Sequence, residues 1–256
     1  MSELLTTRGL GVTRGERRLI EGLDLTLAPG ELVAVVGPNG AGKSSLLATL
    51  AGLFPPATGE IRVEGAVLDR LPRRTVARRL GFLAQDSDDP YPASVLETVL
   101  IGRHPHIDFW RWESAADRSR ARKALRAMGL EATAAQSVAT LSGGERRRLA
   151  IATLLAQAPR IYLLDEPLEA LDLAFRMRLL RLLGHLAALG GVGVIFSLHD
   201  LSLAARHADR VIVLDGHGTA TLGTPARVLE PARLSAIYGC RIRCIMVDTT
   251  PFYVAD

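Results

Sequence analysis

Two cysteines, Cys240 and Cys244, are all that the 256 residues contain. That is too few for a disulfide scaffold, and in a chain of this size both are expected as free thiols in a reducing compartment. No uninterrupted apolar run approaches the roughly 18 residues of a membrane-spanning helix, so no bilayer span is expected. The opening stretch, Met1 to Arg8, lacks the charged-then-apolar pattern of a secretory signal, which points to the cytoplasm. Internal repeats and low-complexity tracts are missing too. Charge is nearly balanced, 31 Lys+Arg against 27 Asp+Glu for a net of +4. The basic residues are almost all arginine and are scattered, without the stripe that nucleic acid requires, so no nucleic-acid partner is expected. The length suffices for one large domain, or for a core with an inserted lobe.

What is present is organised around Gly37-Pro38-Asn39-Gly40-Ala41-Gly42-Lys43-Ser44-Ser45. An apolar run, Leu32 to Val36, precedes it, and Leu46 to Ala51 reads as a helix after it. Strand, glycine-rich turn and helix form the context in which G-x-x-x-x-G-K-[ST] acts as a phosphate-binding loop. The glycines let backbone N–H groups wrap an anion with no Cβ in the way. Lys43 brings a positive charge to the outer phosphates, Ser44 offers a hydroxyl to Mg²⁺, and the helix N-terminus adds its partial positive charge. The chain is therefore expected to bind a nucleoside triphosphate.

Two β-like stretches, Leu4 to Val12 and Leu19 to Leu27, flank a polar turn at Arg14 to Arg18. Pro29-Gly30 turns the chain into the phosphate-loop strand. Glu60 to Val63 reads as a further strand. Arg73, Arg74, Arg78 and Arg79 recur at helical spacing and read first as a solvated face, second as a contact for an acidic or membrane-side partner. Leu80 to Ala84 is strand-like and ends at Gln85, and Asp86 to Pro92 reads as a loop. From Ser94 to about Gln157 the pattern is almost wholly helical. Strands return at Ile161–Leu164, Val192–Phe196 and Val211–Leu214, with helices at Leu173 to Leu189 and Leu201 to His207. Strands alternating with helices imply a parallel sheet covered on its faces. The helical block then reads as an inserted lobe, and Arg241 to Asp256 as two short strands around Asp248 to Pro251.

The strand Ile161–Leu164 ends in Asp165-Glu166, delivering two carboxylates to the sheet edge that holds the phosphate loop. Asp165 suits the Mg²⁺ shell, and Glu166 suits the orientation and deprotonation of a water that attacks the γ-phosphate. Leu141-Ser142-Gly143-Gly144-Glu145 reads in one sense as a capping box. A cap alone, however, does not call for two glycines in the first helical turn, where each costs roughly 0.5–1 kcal/mol relative to alanine. Bare glycines at a helix N-terminus suit close approach of an anion.

With these elements in this order, the sequence resembles the ATP-binding-cassette (ABC) ATPases over almost its whole length. Gln85 stands at the Q-loop position, His199 at the switch histidine, and Leu171-Asp172 at the end of the D-loop. The resemblance implies an α/β P-loop NTPase fold with a mainly parallel sheet core, an N-terminal antiparallel β subdomain and an inserted helical subdomain. In a single domain, residues 1–85 and 158–240 then form the core, 86–157 the helical subdomain and 241–256 a C-terminal β extension. It also implies ATP and Mg²⁺ as ligands, with Ser44, Gln85 and Asp165 around the metal and Glu166, His199 and Lys43 as the catalytic groups. A head-to-tail homodimer follows, each ATP lying between the phosphate loop of one copy and Ser142, Gly143, Gly144 and Glu145 of the other. Arg14 stands where the family carries an aromatic residue, and its guanidinium plane is expected to stack on adenine in that role. Leu168 stands where a Ser or Thr usually opens the D-loop, so a hydroxyl contact across the dimer is expected to be missing.

Val95 to His106 resembles the segment after the Q-loop in importers of the iron–siderophore, haem and vitamin B12 type. Physically it reads as an amphipathic helix ended by Gly102-Arg103 and Pro105, a surface for docking a partner helix. His104 and His106 lack nearby carboxylates or thiols and make a poor metal site, and Cys240 and Cys244 supply too few ligands. The expected role is the motor of a bacterial importer, on the inner face of the membrane. Integral permease subunits and, indirectly, a periplasmic substrate-binding protein are the partners. A soluble ABC ATPase of repair, translation or iron–sulfur assembly is the alternative, although the long coiled coil or second cassette usual in two of these is lacking. An exporter motor is a third, weaker reading.

Overall fold

A computed structural model describes residues 3–85, 92–108 and 110–256, so the expected loop at 86–92 lies, but for Pro92, outside the described residues. β1 (Leu5–Arg14) and β2 (Arg17–Leu27) pair antiparallel, with Arg14 opposite Arg17. Both strands run further into the turn than the sequence suggests. Gly15, at a left-handed φ of 58°, takes up the reversal and leaves the arginines in the ladder. β3 (Leu32–Val36) is buried at every position and leads into α1 (Lys43–Leu50). β4 (Thr58–Val63) and β5 (Ala66–Val67) return to the first hairpin, giving a four-stranded sheet in the order β2-β1-β4-β5.

After α2 (Arg73–Arg79) and β6 (Leu80–Leu83) come three helices, α3 (Val95–Ile101), α4 (Ala115–Ala127) and α5 (Gly143–Gln157). Then follow β7 (Ile161–Leu164), α6 (Leu173–Gly190), β8 (Gly193–Ser197), α7 (Leu201–His207), β9 (Arg210–Leu214) and β10 (Ala220–Gly223). The central sheet has six strands in the order β10-β9-β3-β8-β7-β6, parallel throughout except for β10 against β9. Val33, Val35, Leu163 and Ile195 pack with α1 and the antiparallel sheet, while Ala34, Val36, Leu164 and Phe196 pack with helices on the opposite face. Burial on both faces is why these strands read as unbroken apolar runs. Because β3, β8, β7 and β6 are parallel neighbours, the loops after them open on one edge of the sheet. Those loops carry Lys43, His199, Glu166 and Gln85.

Each described α-helix of the lobe begins in a capping box, Ser94 with Glu97, Ser114 with Asp117 and Ser142 with Glu145. Val99, Leu125 and Ile151 meet in its core. A Cβ on Gly102 would lie 2.2 Å from the Thr153 carbonyl oxygen, so glycine is what lets the end of α3 seat on α5. Arg103, only 3% exposed, donates to Asp117 Oδ1 at 2.9 Å and to the Ala156 carbonyl at 2.8 Å. His106 Nε2 lies 2.8 Å from the Gln157 carbonyl oxygen. Within Val95 to His106, the stretch read as a docking surface, Gly102 and Arg103 instead face inward and knit the lobe. Glu97, Ile101 and His104 are the residues of Val95 to His106 that remain exposed.

The arginines of α2 are more than a solvated face. Arg73 donates to the Gly52 carbonyl, Arg74 and Arg78 both to the Pro105 carbonyl, and Arg79 pairs with Glu64. They tie α2 to the chain on either side of it. At the C-terminus, α8 (Pro225–Val228) and α9 (Pro231–Tyr238) precede β11 (Ile242–Val247) and β12 (Thr250–Ala255). This last hairpin, as expected, is two strands, and it rests on α7 through a Tyr253 N–H donated to Ser202 Oγ at 2.9 Å. Cys240 and Cys244 are free thiols.

The Asp117 carboxyl is held down at about 2, first by the Ser114 hydroxyl and further by Arg103. A depressed carboxylate stabilises the fold at neutral pH and loses that contribution as pH falls from about 4 towards about 2. Arg103→Met, which strands Asp117 without its counter-ion, is predicted to cost roughly 3–5 kcal/mol in urea unfolding at pH 7. The penalty shrinks on acidification, and a variant within about 1 kcal/mol of wild type at pH 7 would contradict the assignment.

Candidate active site

The phosphate loop is shaped around its own lysine. Gly40 and Gly42 adopt left-handed φ values of 74° and 103°, which a side chain resists. Lys43, the first residue of α1, is 5% exposed, and its Nζ donates to the carbonyls of Gly37 at 2.9 Å and Pro38 at 3.3 Å. No side chain caps α1, and its first turn holds no acidic residue. Its N–H groups are thus turned towards the cleft with their positive end unneutralised. Burial lowers the Lys43 pKa, while the carboxylates of Glu166 and Asp165 act in the opposite direction. Beside this loop opens a cleft of about 570 Å³. Asn39, Gly40, Gly42, Lys43, Ser44 and Ser45 line one wall, with Ala41 buried behind them. Gln85, Glu166 and His199 line the other, and Arg14 stands at the mouth beside Arg17.

Glu166 is gripped on both oxygens. His199 Nε2 lies 2.6 Å from Oε1, and Gln85 donates its side-chain amide to Oε2 at 3.1 Å. The Gln85 amide also reaches Glu169 Oε2 at 3.3 Å. Glu166 has a left-handed φ of 47°, a conformation that costs a residue with a Cβ of order 1–3 kcal/mol and that the surroundings must enforce. One enforcing contact is Ser197, wholly buried at the end of β8. Its Oγ accepts the Glu166 N–H at 2.7 Å and donates to Asp165 Oδ1 at 2.7 Å. Asp165 is itself only 2% exposed and sits behind the cleft wall.

Ser142, Gly143, Gly144, Glu145 and Asp172 are not brought to this cleft. The Ser142–Glu145 capping box forms in full, with Ser142 Oγ donating to Glu145 Oε2 at 2.7 Å and the Glu145 N–H donating to that Oγ at 3.3 Å. That hydroxyl holds the Glu145 carboxyl below its ordinary pKa. A Cβ on Gly144 would come within 2.9 Å of the Ala170 carbonyl oxygen, whereas one on Gly143 would meet nothing. One of the two glycines therefore has a reason within the chain, contrary to the expectation that both await an anion. Asp172 caps α6, accepting the Phe175 N–H at 2.8 Å. Leu168, at the position where the family usually carries Ser or Thr, is 6% exposed and packs in the core, which explains an apolar side chain there.

Two buried groups beside Glu166 escape a motif-based reading. Ser197 is the one hydroxyl in an otherwise apolar buried strand, a signal that was legible in Val194-Ile195-Phe196-Ser197. Arg147 shares the buried face of α5 with Ile151 and Leu154, so an arginine falls on an apolar stripe. Its guanidinium donates to the carbonyls of Gln85 at 3.1 Å and Glu166 at 2.8 Å.

Residues 20–169, more than half of the chain, match the ABC transporter family. The hemin import ATP-binding protein HmuV of Myxococcus xanthus is 42% identical, aligned over 96% of this chain and 94% of its own. The ferric enterobactin transport ATP-binding protein FepC of Escherichia coli is 39% identical, over 91% of this chain and 86% of its own. Among solved structures, a chain of an ABC transporter in an inward-facing conformation superposes with a TM-score of 0.84 at 29% identity. That match covers 99% of this chain and 97% of the other.

Ser197→Ala is predicted to lower unfolding free energy by about 1–3 kcal/mol, because it leaves both Asp165 Oδ1 and the Glu166 N–H without this partner. Urea titration measures it, and a change below about 0.5 kcal/mol would show that the hydroxyl pins nothing.

Proposed function

The chain belongs to the ABC transporter family, whose ATP-binding subunits hydrolyse ATP to drive transport, and we propose that it is the motor of an importer for a metal chelate of the iron–siderophore, haem or cobalamin type. The observation that carries the mechanism is the pairing of the buried Lys43 loop with a Glu166 carboxylate held from two sides across one cleft. The triphosphate lies along Gly37 to Ser45, where inward N–H groups and Lys43 meet its negative charge. Arg14 stacks on the adenine. Glu166 accepts the proton of a water as its oxygen attacks the γ-phosphorus and the bond to the β-phosphate oxygen breaks. His199 keeps the carboxylate aimed and contacts the γ-phosphate. Ser44, Gln85 and Asp165 form an all-oxygen donor set that fits Mg²⁺, a metal that takes few protein ligands beside substrate phosphates. When bound it would neutralise negative charge on the substrate phosphates.

In this reading two copies close head to tail. Ser142 and Gly143 are exposed at the start of α5, and that helix N-terminus favours the far side of a polyphosphate already cradled by Lys43 of the other copy. Asp172 lies at the same seam. Closure excludes water and strengthens each contact. Residues 1–85 and 158–240 act as the ATPase core, 86–157 as the lobe that passes closure on through Gln85, and 241–256 as an extension. No described helix is long and apolar enough to cross a membrane, so separate permease subunits form the path and hold this chain at the inner face. A periplasmic binding protein delivers the cargo to them.

Glu166→Gln is predicted to cut turnover by about 100-fold or more while ATP still binds and a dimer accumulates. Hydrolysis at the wild-type rate in that variant would remove Glu166 from the role of base. Expressed with its gene neighbours, the chain is expected to co-purify with a multi-span membrane protein. Recovery with nucleic acid or a soluble scaffold in place of one would overturn the importer reading.

A further inference from the structure

The parallel ladder between β6 and β7 ends at the pair Leu83 and Leu164, with a last rung from the Asp165 N–H to the Leu83 carbonyl at 2.8 Å. Beyond that point the two strands part, one towards Gln85 and the other towards Glu166. Four carbonyls stand at the parting, those of Ala84, Gln85, Asp165 and Glu166. Carbonyls withdrawn wholly or partly from water need donors, and here one side chain serves all four. Arg147, 6% exposed on α5, donates from Nη1 to Ala84 at 2.6 Å and to Gln85 at 3.1 Å. From Nη2 it donates to Asp165 and, at 2.8 Å, to Glu166. A planar fork with donors on two arms fits two carbonyl pairs, as a lysine ammonium does not. Its neighbours do other work: Arg146 is exposed, and Arg148 lies over the Phe175 ring and donates to Met128.

We propose that Arg147 is a positioning residue that makes the seat of α5 and the aim of the Glu166 carboxylate a single mechanical variable. The inference rests on the reading of Glu166 as base. Glu166 has its N–H fixed by Ser197 and its carbonyl fixed by Arg147, so its left-handed backbone is set from two elements at once. The partner of its Oε2, Gln85, hangs from the same guanidinium. Arg147 is rooted about one turn along the helix that starts at Ser142. A tilt of α5, such as would follow when Ser142 and Gly143 engage a nucleotide, therefore pulls on the carbonyls of Gln85 and Glu166 together. These four bonds of Arg147 all go to the Gln85 and Glu166 wall of the cleft, so hydrolysis, rather than nucleotide affinity, depends on this link.

Steady-state ATPase of the full chain tests this with Arg147→Gln, rates being normalised to folded protein. The kcat is expected to fall about 10-fold or more with the KM for ATP within about two-fold. In a Glu166→Gln background the same substitution is expected to change residual single-turnover hydrolysis by less than about two-fold, since a residue that acts through Glu166 has nothing left to act on. A purely structural arginine would instead lower the melting temperature and leave the kcat of the folded fraction unchanged, which overturns the proposal. A loss that multiplies with Glu166→Gln overturns it too. Should Arg147→Gln fail to fold, Arg147→Lys, which keeps the charge without the planar fork, is read by the same split between kcat and KM. Full activity in Glu166→Gln would bring down the base assignment and this inference with it, whereas an inactive Glu166→Gln beside an unimpaired Arg147 variant refutes the role of Arg147 alone.

Discussion

A lysine ammonium buried at the carboxyl edge of the sheet, opposite two carboxylates, is the constraint to which the surrounding structure answers. Taking Lys43 out of water costs free energy, and the lowered pKa expresses that cost. Two loop carbonyls and the charges of Asp165 and Glu166 offset part of it. An incoming polyphosphate supplies far more negative charge, so the loop is built for its ligand more than for its own stability. The left-handed glycines, the uncapped α1 and the strained Glu166 are local concessions of the same kind.

What keeps those concessions from unfolding the site is the rigidity around them. Four parallel neighbours carry the reactive loops, so their spacing is set by a hydrogen-bonded ladder and not by loop conformation. Ser197 pins the carboxylate pair from β8, and Arg147 from the helical lobe. The lobe is made stiff enough to serve as an anchor by three capping boxes and by the buried pair of Arg103 with Asp117.

Much of this was legible in the sequence where a pattern has one physical meaning. A glycine-rich turn between an apolar run and a helix placed Lys43, and an apolar run ending in Asp165-Glu166 placed the carboxylates. Alternation of strand and helix gave the central sheet and its helical insertion. What the sequence left unread shares one cause, because spacing along a chain reports exposure but not partners. Arg74 and Arg78 lie on an exposed face of α2, yet they clasp the Pro105 carbonyl. Gly102 and Arg103 read as the end of a docking helix, but their form is dictated by Thr153 and Asp117. Gly144 is small because Ala170 comes close. Arg147 sat unnoticed in a run of three arginines, where only its phase on the helix separates it from its neighbours.

The central claim is that this cleft holds a triphosphate by the charge and N–H groups of the Lys43 loop. Calorimetric titration of the full chain with ATP and Mg²⁺ tests it most directly. Saturable binding is predicted for the wild type, weakened by about ten-fold or more in Lys43→Ala, consistent with loss of a charge-assisted contact of about 1.5–3 kcal/mol. Undiminished affinity in that variant, with the fold intact, would contradict the account.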